Sequence, residues 1–353
     1  MSRFFSARHD SLVPYTPGEQ PRQMKSYIKL NTNESPFPPS AKAQAYAAEA
    51  AKNMQLYCDP TAKKLTQAVA DRLSVDFDEV LLTNGSDEIL NFAFLAFCDE
   101  AHPAVFANIT YGFYPVFAAL NGIPYEEIPL KDDFTIDVND YIGIGKTIVI
   151  ANPNAPTGIA LPKAEIEKII KSNPDNVVIV DEAYVDFGGE SCVDLIHKYD
   201  NLLVTQTFSK SRSMAGARLG FGVGCKALIA DLNTIKYSTN PYNVNSMTQA
   251  AGLGCIEDDE YNMQNCKTIV ENRVYTIQAL RDLGFTVLES KTNFVFAKHP
   301  DMDGKELYLK LKDAGILVRH FDKKDICAFN RITIGTKVQM ESLISEIKKI
   351  LEE

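Results

Sequence analysis

The sequence predicts an α/β protein, with a large domain on a mostly parallel seven-stranded sheet and a smaller C-terminal α/β domain. Three observations lead there. The chain has 353 residues, more than one hydrophobic core ordinarily organises. Up to residue 250, short β-branched runs alternate with helix-like stretches. Beyond a long helical stretch, the same alternation restarts in the last seventy residues. Such alternation favours parallel strands, because a helix must carry the chain back before the next strand can start.

Residues 1–35 read as an N-terminal arm or lid, since VPYTPGEQPRQ and NTNESPFPPS are dense in turn-forming residues. The large domain is placed at 36–250. Its strand candidates are EVLLTN, PAVFAN, YEEIPL, KTIVIAN, NVVIVDE, NLLVTQ and RLGFGVG. Runs such as VVIV are apolar throughout and suit strands buried on both faces. Helical patterns lie between several of them, for example DEILNFAFLAFCD and KAEIEKIIKS. A helical stretch runs from about Ser246 to Leu283, and its part at 251–283 is expected as a connecting helix. The small domain takes 284–353. Its strand candidates are FTVLES, TNFVFAK, GILVRHF and FNRITIGT, and its helices are DGKELYLKLKDAG and MESLISEIKKILEE.

Composition narrows the function. The net charge of -10 argues against nucleic-acid binding, which calls for a basic surface. The seven cysteines form no Cys-x-x-Cys pair and suit free thiols in a reducing, cytoplasmic setting. The five histidines are scattered, so no metal site is expected. No apolar run is long enough to span a bilayer.

Ligands of open α/β sheets gather beyond the carboxyl ends of the strands, and four clusters fall there. In TNGSDEILNF, Gly85 permits a tight turn before Ser86 and Asp87 open a helix. These two residues suit either a helix cap or, with the free helix N–H groups, a phosphate seat. In IANPNAPTG, Asn154 sits in an irregular loop that is either a simple turn or a donor to a ligand oxygen. In VVIVDEAYVDF, Asp181 follows a fully apolar run, with Tyr184 three residues on. A carboxylate there caps a helix or pairs with a buried cation. In TQTFSKSRSMAGARLGF, Thr207, Ser209 and Arg218 can bind a phosphate, and Lys210 can condense with an aldehyde. Together these features match the needs of pyridoxal 5'-phosphate: a lysine for its aldehyde, an acid for its ring nitrogen, donors for its phenolic oxygen and a cup for its phosphate.

The order TNGSDE, NPNAPTG, VDEAY and SKSRSMAGARLGF resembles the fold-type I, class I and II aminotransferases over nearly the whole chain. The resemblance implies that Lys210 binds the cofactor aldehyde and, once freed, moves the substrate proton. It implies Asp181 at the pyridinium nitrogen, and Tyr184 and Asn154 at the phenolic oxygen. Ser86, Asp87, Thr207, Ser209 and Arg218 would form the phosphate cup. Tyr111, in TYGFYPVF, would stack on the ring. Tyr57, in LYCDP, would reach the phosphate of a neighbouring subunit, implying a homodimer.

Within that family the likeness is strongest to the branch acting on histidinol phosphate. It implies reversible amino transfer between L-histidinol phosphate and 2-oxoglutarate, giving imidazole-acetol phosphate and glutamate, in histidine biosynthesis. Arg319 and Arg331 would grip the substrate anion, Tyr15 would reach its phosphate from the lid, and Asn33 with Glu34 would line the site mouth. Two departures stand out: Cys58 replaces a frequent proline, and Asn330 a frequent leucine. The rival readings are an aromatic amino-acid aminotransferase, a lyase resembling threonine-phosphate decarboxylase, and a non-catalytic cofactor sensor. The last usually carries a basic DNA-binding segment, and none is seen.

Overall fold

A computed structural model of the chain describes residues 2–20 and 27–352. Residues 21–26 of the expected arm, and the two terminal residues, lie outside them. The chain enters through a two-residue strand, β1 (Ile28–Lys29), and two helices, α1 (Ala41–Ala50) and α2 (Lys63–Leu73). All seven strand candidates of the large domain then become strands of one sheet. They are β2 (Val80–Thr83), β3 (Ala104–Ala107), β4 (Tyr125–Ile128), β5 (Thr147–Ala151), β6 (Val178–Asp181), β7 (Leu202–Thr207) and β8 (Gly220–Gly224). Their order is β2-β8-β7-β6-β5-β3-β4, and β8 alone runs antiparallel to its neighbours.

Helices cover both faces of this sheet. On one side lie α3 (Ser86–Phe97), α4 (Tyr114–Asn121) and α6 (Lys226–Thr239), and on the other α2, α5 (Lys163–Ser172) and α7 (Ser246–Ile256). The strand β6 shows why its sequence is so uniformly apolar. Val178 and Val180 join one core and Ile179 the other, as the twofold alternation of a strand dictates. Burying each such side chain contributes about 1.5–3 kcal/mol. The run ends at Asp181, where the strand reaches the edge of the sheet.

The helical stretch expected from Ser246 to Leu283 is two helices, α7 and α8 (Asp259–Asp282), broken at residues 257–258. Their apolar residues serve different cores: Ala251 and Cys255 pack under the large sheet, whereas Ile269, Ile277 and Leu280 belong to the small domain. The small-domain sheet has the order β12-β13-β10-β9 and is antiparallel. It comprises β9 (Thr286–Val287), β10 (Phe294–Lys298), β12 (Arg319–His320) and β13 (Asn330–Thr333), packed with α8, α9 (Gly304–Asp313) and α10 (Lys337–Glu352).

The run GILVRHF, expected as one strand, divides at Val318. Its first half, β11 (Ile316–Leu317), pairs in parallel with β1, and its second half is β12. Leu30 extends the junction: its N–H donates to Leu317 O at 2.7 Å, and its carbonyl accepts from the Thr333 N–H at 2.9 Å. Residues 28–30, within the stretch expected as an arm, are thereby stitched to the small domain. No helix among the described residues is long and apolar enough to cross a membrane.

Candidate active site

Strand register brings the motifs to one edge. Thr83 of β2 lies opposite Gly220, which lies opposite Thr207 of β7, while Asp181 of β6 pairs with Thr205 and with Ala151 of β5. A cavity of 350 Å³ opens there, and Ser86, Asp87, Tyr111, Asp181, Tyr184, Thr207, Ser209, Lys210 and Arg218 line it. It shares Thr32, Tyr111, Ala155, Tyr184 and Lys210 with a second cavity of 470 Å³, which Tyr15, Asn33, Arg319 and Arg331 also line.

The floor of the smaller lobe is a helix N-terminus. No side chain caps α3, and Gly85 precedes it with φ 74. A Cβ on Gly220 would lie 2.5 Å from Gly85 C and Ser86 N, so only glycine lets β8 approach the start of the helix so closely. Arg218 closes the seat: its Nη2 donates to Asp87 Oδ2 at 3.0 Å and its Nη1 to Ser209 Oγ at 3.3 Å. Free N–H groups, a helix dipole and a guanidinium together form an anion site.

Asp181 is 4% exposed, and its hydrogen-bond donors are neutral. Oδ2 accepts from the Tyr114 hydroxyl at 2.8 Å, and Oδ1 accepts from Thr205 Oγ1 and the Ala183 N–H, each at 3.3 Å. Burial raises its pKa to about 6, although these hydrogen bonds pull the other way. A buried carboxylate with neutral partners is stabilised by an incoming cation.

Lys210 stands across this lobe, with Nζ donating to Thr32 O at 3.2 Å and lying 5.9 Å from the Tyr184 ring centre. Burial, helped by the charges of Arg331 and Arg218 and opposed by those of Glu34 and Asp87, lowers its pKa to about 8. Burial also pushes the Glu34 carboxyl up, but hydrogen bonds from Lys29 and Thr32 outweigh it and hold it below its usual range. The Tyr184 hydroxyl accepts from Asn33 Nδ2 at 2.9 Å. Asn33 is itself fixed by Thr333, which donates from Oγ1 to Asn33 Oδ1 at 3.0 Å. The Tyr111 hydroxyl donates to Asp87 Oδ1 at 2.8 Å.

One expected residue turns away from both lobes. Asn154 lines neither, because its amide is engaged inside the loop: Nδ2 donates to Ile109 O and Thr157 Oγ1, each at 3.0 Å, and Oδ1 accepts from Thr110 Oγ1 at 2.8 Å. Ala155 takes the cavity-facing position instead. Tyr57 also lies outside both lobes. It is 83% exposed and stacks on Tyr242 with ring centres 4.6 Å apart.

In the wider lobe, Arg331 stacks between Phe294 and Phe321, with its guanidinium carbon 5.3 and 5.6 Å from the ring centres. Its Nη2 donates to Asn31 O at 3.1 Å, and its Nε is buried without a hydrogen-bond partner among the described residues. Such an orphan donor fits an oxyanion. Arg319 instead donates to Thr16 O at 3.1 Å and Pro17 O at 3.3 Å, tying the arm to β12. Tyr15 packs on Phe113, with ring centres 4.8 Å apart.

Tyr114 and Thr205, the donors to Asp181, escaped the sequence reading. Tyr111 lies in the turn before α4 and Tyr114 opens that helix, so no periodicity in the sequence marked the second tyrosine.

The chain matches the family described as aminotransferase class I and II over residues 25–347. It is 47% identical over 354 residues to a histidinol-phosphate aminotransferase of Brachyspira hyodysenteriae, covering 100% of both chains. It is 47% identical to histidinol-phosphate aminotransferase 1 of Bordetella parapertussis, covering 99% of both. In fold it is similar to the histidinol-phosphate aminotransferase of Sinorhizobium meliloti solved in complex with pyridoxal-5'-phosphate, with a TM-score of 0.89, 21% identity, and coverage of 100% of this chain and 98% of that one.

Proposed function

The chain belongs to the class I and II aminotransferases, and we infer that it transfers an amino group reversibly between L-histidinol phosphate and 2-oxoglutarate, within histidine biosynthesis. One observation carries the reading. The Lys210 amine and the Asp181 carboxylate share a lobe floored by the open N-terminus of α3 and Arg218, and the adjoining lobe presents Arg331 with an unpartnered Nε.

The residues present fit pyridoxal phosphate. The N-terminus of α3, Ser86, Thr207, Ser209 and Arg218 would hold its phosphate, Asp181 its ring nitrogen and Tyr184 its phenolic oxygen. Asn154, bonded to Ile109, Thr110 and Thr157, supports the loop that brings Ala155 to the cavity. When bound, the cofactor supplies an aldehyde that carries the amino group and a protonated ring that draws electrons from the substrate α-carbon. The remaining work falls to the protein. Lys210 Nζ would hold the aldehyde and, once displaced, takes the proton from the substrate α-carbon and carries it through the 1,3-shift that completes amino transfer. A pKa of about 8 gives the amine enough free base near neutral pH to do both. Asp181 keeps its charge beside a cationic ring nitrogen, because opposite charge offsets the cost of burial. Asn33 holds the Tyr184 hydroxyl in place. Arg331 receives the substrate oxyanion, carboxylate or phosphate, which its fork accepts in either form. Tyr15 and Arg319 close the arm over that lobe.

The assembly is a homodimer in which Tyr57 reaches the phosphate seat of the second subunit. The exposure of Met54, Leu56 and Tyr57 on one segment supports this. Seven free thiols support a cytoplasmic setting. A steady-state comparison of L-histidinol phosphate with phenylalanine as donor to 2-oxoglutarate tests the substrate. The account expects kcat/KM to favour histidinol phosphate by about 10- to 100-fold, the worth of one further charge-assisted hydrogen bond, which Tyr15 can give the longer phosphate group but not a carboxylate held on Arg331. Parity would move the chain to the aromatic aminotransferases, and carbon dioxide release without a keto acid would make it a lyase.

A further inference from the structure

The turn that carries Lys210 is gripped from behind by charged residues to which none of the roles above is given. Arg212, two residues after Lys210, is 2% exposed. Its Nη1 donates to Asp186 Oδ2 at 2.8 Å, and its Nη2 lies 3.5 Å from Asp259 Oδ1 in the first turn of α8. Asp186, two residues after Tyr184, also accepts from Ser211 Oγ at 2.5 Å. Asp259 continues the chain of charges to Arg72, in the last turn of α2, at 2.9 Å. Two buried thiols hold the same turn: Cys255 Sγ donates to Arg212 O at 3.8 Å and Cys266 Sγ to Ser211 O at 3.7 Å.

Stability alone is a weak reason for this arrangement. Taking a charge pair out of water offsets much of its mutual attraction, and apolar side chains of similar volume often do as well. Directional hydrogen bonds do what apolar packing cannot, which is to fix one segment's register against another. The segments joined here are the ones bearing Lys210 and Tyr184.

We propose that Arg212 and Asp186 are positioning residues for amino transfer, locking the Lys210 turn to the Tyr184 turn so that amine and hydroxyl face the cavity at one fixed separation. The proposal rests on the reading of Lys210 as the reactive amine. The pair touches neither substrate nor cofactor and acts only through its neighbours. Misplacing a reacting group by about 1 Å from a remote site costs roughly 100-fold in rate.

The test uses the double variant Arg212→Met with Asp186→Asn, which leaves neither charge buried alone, as a single substitution would. The holoenzyme yields kcat and the KM for the amino donor, and the cofactor-free protein yields a melting temperature and the rate at which it captures pyridoxal phosphate, followed by absorbance. We expect a melting temperature within about 5 °C of the parent, KM within about twofold, and kcat roughly 100-fold lower, with capture slowed about tenfold. Arg212→Lys keeps a cation opposite Asp186 but loses the planar fork, and it should recover part of kcat. A double variant with parental kcat overturns the proposal. So does one that merely melts earlier, with unchanged kcat per folded molecule. If the parent protein transfers no amino group, the reading of Lys210 fails on its own, and capture by the cofactor-free protein still decides the role of the pair.

Discussion

The smaller lobe of the cavity takes most of its walls from strand ends of a single sheet, whereas the wider lobe takes its walls from segments that meet only in the folded chain. In the smaller lobe, strand register places Asp181, Thr207 and the start of α3 side by side. Its key polar groups already have protein partners, as at Asp181, Asp87 and Arg218. The wider lobe joins the arm at Tyr15, the loop at Tyr111 and the small domain at Arg319 and Arg331. There a guanidinium nitrogen is buried without a partner. The difference shows how one fold can keep its chemistry and vary its substrate. Reactive groups sit on the rigid sheet, and recognition sits where separate segments converge.

If that division is right, substitutions in the smaller lobe act on kcat and those in the wider lobe on KM. Lys210→Ala should have the largest effect, lowering the single-turnover rate by on the order of a thousandfold or more, while the protein still binds cofactor. Substantial turnover in that variant would break the assignment. Asp181→Asn comes next, with kcat falling roughly 100- to 1000-fold, as when a preorganised electrostatic partner is lost. An unchanged kcat would mean that the carboxylate is only structural. Arg331→Lys keeps the charge but loses the fork, and KM for both amino donors should rise about 10- to 100-fold. A loss confined to kcat would erase the contrast between the lobes.

A smaller effect tests their seam. In the cofactor-free protein, aldehyde capture by Lys210 should rise with pH through a midpoint near 8 and level off above it, because burial favours the free amine. The charge of Arg331 acts in the same direction. Arg331→Gln should therefore move the plateau to higher pH, and the capture rate across a pH series reads it. A fixed plateau would show the lobes to be electrically independent.

The same contrast explains what the sequence could tell. Most strands of the large sheet were legible because both of their faces are buried, which forces uninterrupted apolar runs such as that ending at Asp181; the edge strand β4, with only Ile128 buried, is the exception. The reactive cluster was legible because strand ends are where polar residues interrupt such runs. The division of GILVRHF at Val318 was not, since two-residue strands have no periodicity of their own and depend on β1 and β13 as partners. Nor was the inward turn of Asn154. In an irregular loop no repeat dictates which residue faces the cavity, and the choice follows from Ile109, Thr110 and Thr157. The pairing of Arg212 with Asp186 was hidden for a similar reason, because a polar turn gives no sign of being buried.

The most direct test of the account is a single half-reaction. Purified yellow holoenzyme is mixed with L-histidinol phosphate in the absence of any keto acid, and visible absorption is followed while the product is quantified. The account predicts loss of the yellow band with one equivalent of imidazole-acetol phosphate per cofactor and no carbon dioxide. An unchanged spectrum with histidinol phosphate, alongside bleaching by phenylalanine or tyrosine, would contradict it.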